Sequence, residues 1–556
     1  MNKISQLLDT ISSNKRSQFW LFFALLIVLS LIMMYLYQPL CPGQDFFFHY
    51  RRLQALMDGM KTNPYLIYLD YNAIDGYGYF IKAFYSDVIL IPFAIIGNFT
   101  SISFAYQFMI FTSTILCGVF TYIAVNRIYK NPYAASISAL LYIFALYRLL
   151  DIYHRAALGE ALSFTFVPIV ILGLYHIIKG DYKKWYILAV GFSLMIFTHL
   201  ISTVLMFVTA FIILIIYYKP LFKEPKRILY LCIAGLATII ITAYYLFPMI
   251  EQMVSNTFYY ESRQIMSKAS DSGLSVHWVI WGMFSGITPS TIALLPGIGL
   301  LLTCGITLRL FIHEKSDKLR SVDIGVIIGI IYLFACTSFF PWSVFPFSLL
   351  NFIQMGWRLL EFASFFFAVA GGYYLSQLLK NNKRMLAVLI VVSVSIILVM
   401  VNDAEMYRKY RCGRPITQEA TFSNDYHLGG LEYIPEKVPS IEFIHQRGNR
   451  IETKNPETKI SNLKKDSGIT EFDISTHSQE TLELPLIYYK GYKAEIDGKK
   501  ASVEESDNGL IQIQAENARH IKIYYAGTIL QHICFYISLI SILLLCIYIF
   551  VQKKKY

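Results

Sequence analysis

Apolar runs separated by short polar connections dominate this chain, and their length identifies what they do. A helix needs about 20 residues to cross about 30 Å of hydrocarbon. Runs of that kind lie near 18–39, 103–125, 134–150, 161–179, 184–200, 201–218, 227–249, 292–312, 323–341, 358–379, 384–402 and 527–550. The pattern predicts an all-α polytopic membrane protein of about twelve transmembrane helices. Two further apolar stretches, 87–98 and 345–355, are shorter and read as interfacial or re-entrant segments. The first run lacks a small-residue cleavage site and reads as a retained helix rather than a signal peptide.

Basic residues test this count, because they collect on the cytoplasmic side of a membrane protein. With twelve spans every cluster falls on one side: Lys3, Lys15 and Arg16; Arg127 and Lys130; Lys179, Lys183 and Lys184; Lys219, Lys223, Lys226 and Arg227; Lys315, Lys318 and Arg320; Lys380, Lys383 and Arg384; Lys553, Lys554 and Lys555. Both termini are then cytoplasmic. The segments facing out are 40–102, 151–160, 250–291 and 403–526.

The last of these changes character. Alternating patterns at 484–490, 492–496, 510–515 and 520–525 read as short strands, and Asp497-Gly498 and Asn508-Gly509 supply turns between them. A small extracytoplasmic β-sandwich is expected before the last helix, with the polar stretch 446–470 as a long loop. Three divisions follow: a transmembrane domain over 1–402 with a large first outer loop, a β-rich domain over 403–526, and a final helix with a basic tail over 527–556.

Composition agrees. Hydrophobic residues make up 56% of the 556 and charged ones 15%, too few charges to coat a soluble body of this size. The net charge of +11 sits at helix ends, where it sets topology, so no nucleic-acid partner is expected. Six of the eight cysteines lie in apolar runs; Cys41 and Cys412 fall in outer segments, where pairing is open to them. No Cys-x-x-Cys pair or His/Cys cluster suggests zinc.

Ionisable residues at a membrane are costly and mark candidate sites. The densest set follows the first helix, where Asp45, His49 and Arg52 share one face if the segment is helical. This is either an amphipathic anchor with a surface ion network, or a base beside cations able to hold a lipid phosphate. A second set, Asp151, His154, Arg155 and Glu160, follows the third run; it is either a polar turn or a second carboxylate with a phosphate-holding Arg. His199 stands at the outer end of the fifth run, as a structural residue or a phosphate contact. Arg358 opens the tenth run, paired with Glu361 either for phosphate or for helix packing. Aromatics and charges at Tyr259, Tyr260, Glu261, His277, Trp278 and Trp281 suit sugar stacking or an interfacial belt.

Several of these stretches together resemble a known group. The Gly43-x-Asp45-x-x-x-His49-Tyr-x-Arg52 stretch, Gly76-Tyr-Gly-Tyr79, Phe84-Tyr85, His154-Arg155-x-x-x-Gly159-Glu160, Gln354 to Arg358, and the segment from Tyr488 to Lys499 are similar to the YfhO-like bacterial membrane proteins of the GT-C glycosyltransferase superfamily. Relatives in that group also carry the label 6-pyruvoyl-tetrahydropterin synthase-related, but this chain has no His-x-His zinc pattern. The resemblance implies inverting transfer of a sugar from a polyprenyl-phosphate donor, on the outer face of a bacterial plasma membrane. The acceptor would be a cell-envelope or lipid-linked glycan, such as a teichoic acid.

It further implies Asp45 as the base, with Arg155 and Arg358 stabilising the leaving phosphate. His49 would orient Asp45 or help bind phosphate alongside Arg52, His154 and His199. Glu160 would be a second acid, either holding a divalent metal such as Mg or Mn with Asp45 or orienting the acceptor. The rival readings are a lipid-linked sugar flippase or other transporter, and a non-catalytic scaffold. Transporters place charges near the midplane and show two related halves, whereas these charges gather at the outer helix ends.

Overall fold

In the computed structural model, residues 14–62, 69–262, 267–289, 294–412, 432–476 and 478–554 are described; Lys3 and Lys555 lie outside them. Helices occupy each of the apolar runs, but fewer of them span. Among the described residues six helices can cross a membrane by length and composition: Lys15–Leu36, Ile102–Tyr129, Pro132–His154, Gly356–Leu378, Asn382–Arg411 and Ile529–Gln552. The pair Lys226–Ile241 and Ala243–Ser255, broken at Thr242, makes a seventh if it is one span.

The expected twelve is therefore corrected, and the reason is helix length. Val167–Ile178 has 12 residues and Tyr186–Ile196 has 11, which at about 1.5 Å per residue reach about 18 Å, well short of the hydrocarbon layer. Leu200–Ile216 and Gly299–Phe311 are also short. Asp317–Ala335 is long enough but opens on Asp317, Lys318, Arg320 and Asp323. The short segments at 87–98 and 345–355 are a helix over Ile91–Phe99 and a 3-10 turn over Phe347–Ile353.

The chain divides into two compact units. The first comprises residues 1–49, 103–238 and 267–420, the second 50–102, 239–266 and 421–556. Most of the long segment after the first helix, and the last helix, thus group with the β-rich section, and the helix expected to end at 402 runs on to Arg411.

In the first unit the most enclosed spans are Pro132–His154 and Gly356–Leu378, with 94% and 89% of an 18-residue stretch of each buried. They pack closely because Gly372 has no side chain: a Cβ there would stand 2.2 Å from Ser138 Oγ and 2.5 Å from the Ala134 carbonyl. Small residues are how helices approach one another where water supplies no driving force. Cys41 and Cys412 form a disulfide with Cα atoms 5.2 Å apart. Tyr407 fastens the same place, its hydroxyl accepting from the Cys41 amide at 2.7 Å and donating to the Cys41 carbonyl at 3.1 Å.

In the second unit, two antiparallel sheets carry the β section. One orders its strands Glu452–Thr453, Glu480–Ile487, Leu510–Ala515, Glu504–Glu505; the other Lys459–Asp466, Ile469–Ser475, His520–Tyr525, Tyr492–Ile496, Lys499–Ala501. Asp497 and Gly498, at φ +49° and +77°, make the expected two-residue hairpin turn. The expected long loop at 446–470 is a correction: it holds the edge strand Lys459–Asp466, turned by Ser467-Gly468. An edge strand is kept polar against unwanted pairing, so it lacks the alternation that marked the expected strands; its partner Ile469–Ser475 is a further strand that was not expected.

Gly76-Tyr-Gly-Tyr79 docks on these sheets. Both glycines have positive φ, the Tyr77 carbonyl accepts from the Ile487 amide at 3.0 Å, and Lys465 Nζ donates to the Gly76 carbonyl at 3.2 Å. Phe80 stacks on Tyr489 with ring centroids 5.1 Å apart. Alkylation of the unfolded, unreduced chain should label the six free cysteines, and all eight only after reduction. Intact-mass measurement reads the difference, and eight labels before reduction would refute the pairing.

Candidate functional site

The site grows out of a helix that does not finish. Pro132–Ile143 starts well, with Asn131 accepting from the Tyr133 and Ala134 amides and Pro132 in the first turn. It breaks at Phe144-Ala145, where Ala145 is extended. Arg148, fully buried, donates to the Ile143 carbonyl at the break at 2.9 Å and to Thr114 Oγ1 at 3.2 Å. The chain then turns through a π-helical segment, Leu150–His154, where the Arg155 amide bonds back to Leu150 at 2.8 Å. Such turns are frequent at functional sites because they re-aim side chains. Ala156 follows in the left-handed region at φ +53°, strained for a residue with a Cβ.

That turn receives the loop after the first helix. The Asp45 amide donates to the Arg155 carbonyl at 2.8 Å. Gly43 allows the approach, since a Cβ there would lie 2.8 Å from Ala156. The glycine and aspartate of the Gly-x-Asp stretch are thus coupled by geometry.

Glu160 is the centre. It is 1% exposed, and its two oxygens are fully engaged. Tyr147 donates to Oε1 at 2.5 Å; Arg155 Nη1 donates to Oε2 at 3.1 Å, and Arg358 Nε stands 3.5 Å from the same oxygen. The two guanidiniums hold the Glu160 carboxyl below its ordinary range despite burial, and Glu160 and Asp151 keep Arg155 firmly charged. Arg155 also meets Asp151 Oδ1 at 2.5 Å. Arg358 is buried; its Nη2 donates to Gln354 Oε1 at 2.8 Å, while Nη1 has no hydrogen-bond partner among the described residues.

Asp45 is different in kind. Its side chain is reachable at the surface, and among the described residues its carboxylate makes no hydrogen bond or ion pair. Protein crowds it on its other sides, and that desolvation raises its carboxyl above the ordinary range, opposed by Arg155 and Arg358 and assisted by Glu160. A reachable, uncommitted carboxylate therefore faces a fixed pair of cations.

The remaining candidates divide. His49 is buried one turn further on, its amide donating to the Asp45 carbonyl at 3.2 Å. His199 caps Leu200–Ile216, Nδ1 accepting from the Ser202 amide at 3.3 Å. It lies against Gly159, where a Cβ would come within 3.1 Å of its ring, and within electrostatic reach of Glu160. His154 turns instead to Asp403, Nε2 to both oxygens at 3.1 Å, and Tyr37 donates to the same carboxylate. Arg52 belongs to the second unit, where it meets Asp87 at 2.9 Å and the Ser86 carbonyl at 3.0 Å.

The Arg358–Glu361 pairing expected from spacing is corrected. Arg358 reaches Glu160, and Glu361 accepts from Ser163 and Ser202 at 2.6 and 2.7 Å. Sequence reasoning missed Tyr147, Ser163, Ser202 and Asp403, since hydroxyls and a late carboxylate inside apolar runs give no sign of where they aim. A divalent metal shared by Asp45 and Glu160 does not fit, because both Glu160 oxygens are already met by Tyr147 and the arginines. Among the described residues no group of three His, Cys, Asp or Glu side chains is placed to hold a metal ion.

No protein-family model matches the chain. Over 225 residues it is 24% identical to an uncharacterized protein of Lactococcus lactis subsp. cremoris (strain MG1363), covering 39% of this chain and 37% of that one. The match therefore spans well under half the length of that relative.

Replacing Glu160 by Gln leaves buried Arg358 without a carboxylate and Arg155 with Asp151 alone, and should cost on the order of 3–5 kcal/mol. Asp45→Asn removes an unpaired carboxylate and should change stability by less than about 0.5 kcal/mol. Thermal unfolding of the purified variants in detergent separates the two, and an equal loss in both would mean that Asp45 is structural.

Proposed function

We propose that the chain is a membrane glycosyltransferase of the GT-C kind, moving a sugar from a polyprenyl-phosphate donor to a cell-envelope glycan or teichoic-acid-like acceptor on the outer face of a bacterial plasma membrane. The observation that carries this reading is the reachable, unpaired carboxylate of Asp45 facing the buried Arg155 and Arg358, one of which keeps an N–H without an acceptor. A buried donor left unpaired is unfavourable, and an anion that supplies the missing acceptor relieves it. The Cys41–Cys412 disulfide supports an oxidising surroundings for the first loop, and the basic helix ends support the opposite side as cytoplasmic.

Asp45 then takes the proton of an acceptor hydroxyl as its oxygen attacks the anomeric carbon. The bond from that carbon to the lipid phosphate breaks on the opposite side, inverting the centre. Arg155 and Arg358 take up the charge developing on the phosphate, as preorganised cations do. Glu160 is a positioning residue, holding both guanidiniums at one point. Base catalysis suits an aspartate whose affinity for protons is raised towards the working pH.

Purified protein should transfer radiolabelled sugar from undecaprenyl-phosphate sugars to a wall extract, and Asp45→Asn at matched expression should lower transfer by about 10²–10⁴-fold. Undiminished transfer by Asp45→Asn would remove the base and favour the transport reading. The sign of the pH dependence is also fixed. A base works only when deprotonated, so the acid limb of kcat/KM should lie above the ordinary Asp value of about 3.9. Arg358→Gln removes a cation that lowers the Asp45 value, so it should move that limb to higher pH.

A further inference from the structure

A cavity in the first unit, separate from the Asp45 cluster, lies at the basic ends of its helices. It measures about 310 Å³ and runs between Ile102–Tyr129, Val167–Ile178, Leu200–Ile216, Asp317–Ala335 and Leu360–Leu378. Its walls are apolar, from Ile171, Leu174, Ile213, Ile328, Phe365 and Phe366. Protein interiors leave few voids larger than a water molecule, and an apolar space of this size forfeits its dispersion contacts unless something fills it.

The rim says what fills it. Lys179 and Lys318 are exposed there, and Arg320, exposed two residues beyond Lys318 on the same helix, is within electrostatic reach of Tyr217. Lys179 Nζ stands 4.7 Å over the Tyr217 ring, and Lys318 Nζ donates to the Tyr129 carbonyl at 2.8 Å. Neither lysine is in an ion pair among the described residues, and Asp317 is the one acid lining the cavity. Three cations against one carboxylate complement a phosphate. Tyr129 and Tyr217 also line the cavity, and tyrosine is a side chain that favours a membrane interface.

We propose that this groove is a binding site for an anionic glycerophospholipid of the leaflet at the basic helix ends. One acyl chain lies among Ile213, Ile328 and Phe366, and the phosphate sits between Lys179, Lys318 and Arg320. Basic pockets between membrane helices hold anionic headgroups in this way. A volume at the low end for ligand pockets suits a single acyl chain and is far too small for a long polyprenyl tail. The site does not depend on the proposed transferase activity.

Native mass spectrometry of the full-length protein in detergent tests it, with dioleoyl phosphatidylglycerol, dioleoyl phosphatidylcholine and undecaprenyl phosphate added in turn at equal concentration. Phosphatidylglycerol should give the dominant adduct, and Lys179→Ala, Lys318→Ala and Arg320→Ala should each weaken it by about five-fold. Ile328→Trp fills the groove with the cations intact and should remove the adduct; Ile213→Phe serves if the tryptophan variant elutes as aggregate. Replacing Lys380, Lys383 and Arg384 together by Ala, at another basic cluster, should leave it unchanged. Equal phosphatidylcholine adducts, preference for undecaprenyl phosphate, or an adduct that survives both the charge and the filling variants would overturn the proposal.

Discussion

A carboxylate taken out of water must be met by cations and donors, and Glu160 is where the first unit satisfies that requirement. Tyr147 comes from just beyond the break after Ile143, Arg155 from the end of the π turn, and Arg358 from the start of a span some two hundred residues later. Each converges on two oxygen atoms. The break, the π turn and the left-handed Ala156 are unfavourable locally, and this convergence over-determines them. Replacing the whole arrangement by apolar side chains would be easier on stability. What it provides instead is a fixed positive pair at a defined place.

Asp45 gains its character from that neighbour. It sits on a loop held by one backbone bond to Arg155 and by the absence of a side chain at Gly43. Its own carboxylate is left uncommitted, whereas every oxygen of Glu160 is occupied. Two acids close in space are thereby given opposite tendencies, one driven to ionise and one made reluctant to. This separation is how a site assigns different work to chemically similar groups.

Much of this was legible in the sequence, and the failures have physical causes. Asp45, Arg155, Glu160 and Arg358 stood out because charge beside long apolar runs is costly, and the structure does collect them. Their partners were not legible: Arg358 and Glu361 are three apart and suggest a local pair, yet both reach across to other helices. His154 and Asp403 meet over 249 residues, a distance no spacing rule covers. Hydropathy overcounted the spans because it registers apolar content and not helix length, so short helices such as Val167–Ile178 and Tyr186–Ile196 read as full crossings. The strands at 492–496, 510–515 and 520–525 were found, and the one expected at 484–490 lies at Glu480–Ile487; Lys459–Asp466 was missed because an edge strand is polar, and Ile469–Ser475 was missed although its faces alternate.

The disulfide between Cys41 and Cys412 joins positions 371 residues apart, with Asp45 four residues beyond its first end. Its second end is made only when about three-quarters of the chain has been synthesised. Cys41 must therefore wait unpaired while the intervening helices are made. Arg155 and Arg358 also arrive during that interval, the latter shortly before the cysteine. The covalent closure next to Asp45 thus becomes available only after both Arg155 and Arg358 have been made.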